Sequence, residues 1–329
     1  MKNKNILITG AGGFIASHLT RKLVNMGANV SIITKYKSII DNVRISDVWD
    51  DINVIEADIR NIDSLNQVKK IKPEIVYHLA AYNHVGHSFM HISECFDVNA
   101  KGTANLMESS EDCSKFIYVS TSEIYGHQTE VPFKEEFTPR PISPYSITKY
   151  SGELYARMKH HQDNYPVVVL RPFNNFGPYQ SEKAVIPEII INCLLGREIK
   201  STEGKQTREF NFVENIVDGF VLAAKKDKAV GEIINLGSGK DISIKDLILN
   251  IHKMTNSNSK LSIGSLEYRP TEIWRMFCEN EKAKRILGWE PKVSFEEGLK
   301  KTIEWYKSYI ELYYNKDSGL PKLSKLRIE

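Results

Sequence analysis

The sequence predicts an α/β protein: a doubly wound parallel sheet with a smaller α/β lobe beside it. Three observations carry this. Short apolar runs alternate with helical periodicity between Asn5 and Val119. A glycine loop, Gly10-Ala11-Gly12-Gly13, separates the first run from the first helical pattern. From Arg171 onward that regular alternation breaks down. The expected division is a Rossmann-type dinucleotide-binding domain over residues 1–171, with a return around 210–236, and a substrate lobe built mainly from 172–329.

Taken in order, Asn5 to Thr9 reads as the first strand, and Ile15, Leu19, Leu23 and Val24 share one face of a helix that Gly27 stops. Gly10 permits a tight turn, and Gly13 lets the backbone approach a pyrophosphate at the positive helix end. Ala16 replaces the last glycine of the usual pattern and still permits close packing. Val30 to Ile33 is the second strand, which places the loop in a dinucleotide-binding context. That strand runs into Thr34-Lys35, without the acid that grips an NAD ribose. Lys35 and Lys37 either receive the 2′-phosphate of NADP or are surface lysines, so NAD and NADP both stay open. Val54 to Glu56 is a third strand; Asp58 beyond it either caps the next helix or accepts from an adenine amino group. Asp63 to Ile71 reads as a helix, and Ile75 to His78 as a buried strand leading into Leu79-Ala80-Ala81. Phe116 to Val119 is the next strand, and the hydroxyl-rich run Ser120-Thr121-Ser122-Glu123 follows it. Ligands of such sheets lie at the strands' carboxyl ends, so these loops should share one crevice.

Whole-chain properties bound the function. The 329 residues are 41% hydrophobic, enough for a large core. A formal charge of +3 is too small for a dedicated nucleic-acid surface. The four cysteines (Cys95, Cys113, Cys193, Cys278) are scattered, which suits reduced thiols in a cytoplasmic protein. No metal is expected, no segment suits a bilayer, and the amino terminus reads as a first strand, with no signal peptide. The tail from Asn315 is polar and lysine-rich and reads as a loose end.

Tyr145 and Lys149 stand four apart at the start of a helical pattern (Tyr150, Leu154, Tyr155, Met158), so they share a face. An ammonium beside a tyrosine should draw its pKa below the usual value of about 10. Such a phenolate can take a proton from a sugar hydroxyl that a nearby Thr or Ser holds.

The ordered set Thr9 to Ile15, Asp58-Ile59-Arg60, His78 to Ala81, Asn99 with Gly102-Thr103, the Ser120 run, Tyr145/Lys149, Arg171 to Pro178, Leu287-Gly288-Trp289 and Pro291 resembles the extended short-chain dehydrogenase/reductase family. That family holds nucleotide-sugar epimerases, dehydratases and decarboxylases. The resemblance implies a recycled, tightly bound NAD or NADP, held by Gly10, Gly13, Phe14, Ile15, Lys35, Asp58, Ile59, Leu79, Ala80, Ala81, Asn99, Ser120, Tyr145 and Lys149. It implies oxidation of the sugar at C4, with Tyr145 as base, Lys149 lowering its pKa and Thr121 bonding the C4 oxygen. Thr121-Ser122-Glu123 resembles the corresponding run of 4,6-dehydratases, which makes Glu123 the base for the C5 proton. The chain departs from dTDP-glucose 4,6-dehydratases, which carry Asp where Ser122 stands; Ser122 or a water it holds would then be the acid at C6, or no water is eliminated. A 4,6-dehydratase is the leading expectation, with a 4-epimerase or a uronate decarboxylase as alternatives.

Towards the nucleotide sugar, the resemblance implies contacts from His84, Asn174, Val185, Arg208 and Arg269. GDP, UDP, dTDP and CDP all stay open as the base. Phe212 to Asp218 reads as a helix start capped by Asn215 or Glu214, and Asn235 to Gly239 as the end of a strand in the small lobe. The helices near 93–111 and 145–161 are where relatives pair, which implies a homodimer.

Overall fold

The computed structural model describes residues 1–35, 40–268 and 272–313. Lys37, Arg269 and the tail from Asn315 lie outside the described residues. The main sheet has seven strands: β1 (Asn5–Thr9), β2 (Asn29–Thr34), β3 (Ile52–Glu56), β4 (Ile75–His78), β5 (Lys115–Val119), β6 (Val167–Pro172) and β7 (Ile233–Leu236). Their spatial order is β3-β2-β1-β4-β5-β6-β7, and every pairing is parallel. The chain reverses its direction of winding between β1 and β4, which is where a doubly wound sheet opens a crevice.

Every residue of β4, β5 and β6 is buried, as expected of strands covered on both faces. Alternate residues feed two cores. Ile6 and Ile8 pack with Leu19 and Leu23 of α1 (Phe14–Asn25), whereas Leu7 packs with Leu106 and Met107 of α2 (Gly102–Ser109). A 20-residue helix, α3 (Pro144–Asp163), follows β5 and adds Ala156 to the second core. A fourth helix, α4 (Val213–Lys225), lays Ile216 and Phe220 on the first.

The smaller lobe holds short strands. Thr207–Glu209 pairs antiparallel with Asp241–Ser243 and parallel with Arg275–Met276, and Ile199–Ser201 pairs with Leu261–Ile263. Three expectations need correction. The strand ending at Leu236 is β7, the sheet's own edge: its Ile234 and Leu236 join the large apolar core, so burial draws it to β6. Asn215 caps nothing; its side chain bonds the backbone of Lys292 and Val293, tying the carboxyl-terminal segment to α4. The stretch Asp63 to Ile71 opens as a 3₁₀ turn (Ile62–Leu65), capped by Asn61, before the helix Asn66–Ile71.

Candidate active site

Two adjoining cavities lie at the carboxyl ends of the strands. One, of about 490 Å³, is walled by Gly10 to Gly13, Thr34, Lys35, Asp58, Ile59 and Leu79 to Ala81. The other, of about 420 Å³, is walled by Phe14, Ile15, Ser120 to Glu123, Tyr145, Lys149, Asn174 and Val185. They share Gly10, Gly13, Leu79 and Ala81, so one long ligand can run through both.

The glycine turn is built by sterics. Gly10 has φ +75°, and a Cβ there would stand 2.8 Å from the Ala80 nitrogen. The same close approach of β1 to β4 is stapled by Thr9, whose hydroxyl accepts from Ala80 N–H at 3.1 Å and bonds His78 Nδ1 at 2.7 Å. His78 Nε2 reaches Thr103 at 3.0 Å, and burial pushes its pKa down to about 3. His78 is therefore a neutral staple. The adenosine end is different: the Asp58 carboxylate is held low by Arg60, which it engages at 2.5 Å, and Lys35 stands exposed.

At the other end, Thr121 caps the short turn Ser122–Tyr125 and its hydroxyl accepts from Glu123 N–H at 3.2 Å. The start of α3 is fixed by Pro144 and by a reciprocal cap between Ser143 and Ser146. Those two anchors bring the Tyr145 hydroxyl into hydrogen bonding with Thr121. The lysine effect expected from the sequence is overturned. Burial pushes the Tyr145 phenol up to about 12, opposed by the Thr121 bond and reinforced by the Glu123 charge. Lys149 is only 2% exposed, with its Nζ 4.6 Å from the Tyr118 ring centre. Desolvation drives it down to about 7 against the pull of Glu153. The cost of burying each charge outweighs their proximity.

Several other residues sit differently from their expected roles. Ser122 is 2% exposed, and its hydroxyl is directed at Met276 Sδ, 3.8 Å away. Asn99 is wholly buried; its amide pins both backbone groups of Tyr82 and donates to Thr148, so it shapes the wall from behind. Ser120 donates to Glu153 at 2.7 Å. His84 is exposed, caps the short helix Val85–Ser88 and stacks on His87 at 3.8 Å, leaving Asn83 and Val85 to line the cavity. Arg208 lies outside both cavities, bound to Glu272 at 2.6 Å and to the Ile273 carbonyl. Sequence reasoning missed Glu153 and the role of Arg171, a buried pair at 2.5 Å behind the site. The Lys149–Glu153 spacing of four was the available signal.

A glycine cradle at the sheet's switch point, with a Tyr–Lys pair one cavity away, is the arrangement of a dinucleotide-binding enzyme of the short-chain dehydrogenase/reductase type. Residues 7–302 match the family model for GDP-mannose 4,6-dehydratase. The chain belongs to the extended short-chain dehydrogenase/reductase family of nucleotide-sugar enzymes. It is 35% identical over 333 residues to dTDP-D-glucose 4,6-dehydratase of Bos taurus, across 96% of this chain and 92% of that one. Among solved structures, UDP-glucose 4-epimerase of Thermotoga maritima with UDP-glucose superposes with a TM-score of 0.86 at 30% identity, covering 93% and 99% of the two chains. A double mutant of dTDP-glucose 4,6-dehydratase from Streptomyces venezuelae, with NAD bound, gives 0.85 at 26% identity, covering 93% and 98%. The relatives include dehydratases, epimerases and decarboxylases, and the family is NAD-dependent. The cradle fits that cofactor's pyrophosphate: Gly10 and Gly13 line both cavities at the amino end of α1, in a turn so tight that a Cβ at either would stand 2.8–3.0 Å from backbone. Among the described residues no helix is long and apolar enough to cross a membrane.

Proposed function

We propose that the chain is a nucleoside-diphosphate-sugar 4,6-dehydratase working as a homodimer. One observation carries the reading: a carboxylate, Glu123, lines the same cavity as Thr121, Tyr145 and Lys149. Removing a C5 proton needs such a base, whereas inverting C4 does not. Thr121 holds the C4 oxygen and Tyr145 takes its proton. Lys149, one helical turn on and lining the same cavity, is the cation placed to favour that phenolate as it forms, against the burial that keeps the resting phenol protonated. The glycine cradle would hold NAD, which would accept the C4 hydride and give it back to C6 once water has left, so that the cofactor is regenerated and a 4-keto-6-deoxy sugar results. The C4 ketone acidifies C5, and Glu123 removes that proton. With the Ser122 hydroxyl facing Met276, the acid at C6 falls to Glu123 itself, which returns its proton to the departing hydroxide as water. Asn174 and Val185, which line the cavity, meet the nucleotide sugar; Arg208 must exchange Glu272 to reach a diphosphate.

A second reading, a 4-epimerase, draws on the same Ser122 position, since its hydroxyl is directed at Met276. Incubating the purified protein with pooled nucleotide sugars and weighing the products separates the two. Loss of one water from a single member supports the dehydratase. A stereochemical change at unchanged mass supports the epimerase, and loss of carbon dioxide overturns both.

A further inference from the structure

Behind the Tyr145–Lys149 pair, α3 carries a third charged residue that the proposed chemistry leaves unused. Glu153 is wholly buried, four residues after Lys149 and therefore on the same helical face. Its two oxygens are committed: Oε2 accepts from the Ser120 hydroxyl at 2.7 Å and from Arg171 Nε at 3.2 Å, and Oε1 accepts from Arg171 Nη2 at 2.5 Å. Arg171 is itself held by the Tyr125 hydroxyl at 2.8 Å and the Glu135 carbonyl at 3.3 Å. Ser120 begins the run that supplies Thr121 and Glu123, so one carboxylate ties the substrate-facing loop to the lysine's helix.

We propose that Glu153 is a positioning residue for the oxidation step, holding Lys149 as an ammonium beneath Tyr145 and locking the Ser120 loop to α3. This rests on the roles given above to Tyr145 and Lys149. The groups facing Lys149 make the need plain. Tyr145 lies one turn back on α3, the Tyr118 ring of β5 stands 4.6 Å from Nζ, and the neutral His78 of β4 feels its charge. Glu123 acts on Tyr145, and Arg171 of β6 lies beyond Glu153. Glu153 is the anion that acts directly on Lys149, and it works against a desolvation that drives the amine down to about 7.

The test is a ¹⁵N NMR titration of the lysine Nζ signals of the purified holoenzyme, with Lys149 assigned from Lys149→Arg, in the wild type and in Glu153→Gln. A titration point lower by about one pH unit or more in Glu153→Gln is expected; an unchanged point in a folded variant overturns the proposal. Should Glu153→Gln fail to fold with Arg171 unpaired, the double variant Glu153→Gln/Arg171→Gln removes both charges. A smaller shift in the same direction is then expected, and no shift overturns the proposal. Cofactor reduction by a nucleotide sugar, followed against pH, should lose its alkaline side earlier in the variant. If no nucleotide sugar reduces the cofactor at all, the functional reading fails, while the NMR titration still decides on Glu153.

Discussion

A Tyr145→Phe chain keeps the ring and loses only the hydroxyl that bonds Thr121. Turnover should fall about 10²- to 10⁴-fold, the range of a general acid–base group, with cofactor content unchanged. The same hydroxyl has a pH signature. Its folded pKa is raised from about 10 to about 12, so between those values the folded state keeps a proton that the unfolded chain releases. The stability it contributes is present below pH 10 and is lost as pH rises towards 12. Urea titrations across that window should show a smaller decline in Tyr145→Phe than in the wild type. For Glu123→Gln, sugar-driven reduction of the cofactor should persist while water elimination collapses; normal elimination would remove Glu123 as the C5 base. Tyr145, Lys149 and the Ser120 run are legible in the sequence because residue type and short-range spacing mark them: a Tyr and a Lys four apart at a helix start, and a hydroxyl-rich run at the end of a strand. Ser122, Asn99 and Arg208 are not. What each faces is set by Met276, Tyr82 and Glu272, and only tertiary packing brings those groups in.

Among the elements, α3 is held where its residues need to be by two features of different kinds. The Ser143 cap is local, and Ser143→Ala should cost about 1 kcal/mol in chemical denaturation. Gly152 is tertiary: a Cβ there would stand 2.5 Å from the Tyr118 hydroxyl and 2.7 Å from the Asn99 carbonyl. Gly152→Ala should therefore push α3 off β5 and destabilise by about 1–3 kcal/mol. It should also lower activity, because the Tyr118 hydroxyl it displaces donates to the Lys149 carbonyl at 2.7 Å. Helix periodicity announces α3 and the helical stretch near 93–111 alike. It does not announce that the latter runs through a π turn over Phe96–Lys101, where no proline or glycine punctuates the sequence. Nor does the apolar strand ending at Leu236 carry its address: an edge position in the main sheet and a place in the small lobe call for the same Ile and Leu.

At the scale of the whole molecule, some of the apolar residues left outside share neighbouring helices. Ile92, Phe96, Ile147 and Leu154 are each more than 40% exposed, on segments that pack against one another. That surface is the one proposed to meet a second copy. Phe96→Glu combined with Leu154→Glu should give a monomer in light scattering; a persisting dimer would place the interface elsewhere. The edge strand β7 carries a longer-range consequence. It is contributed by the part of the chain that also builds the small lobe, yet it completes the large sheet beside β6. A graft that exchanges everything after β6 between two relatives would thus replace a seam of the recipient's own sheet. The two halves cannot be traded as interchangeable cassettes. New specificities in such a chain must arise by substitution in place, loop by loop, and a chimaera joined between β6 and β7 should refold less well than either parent.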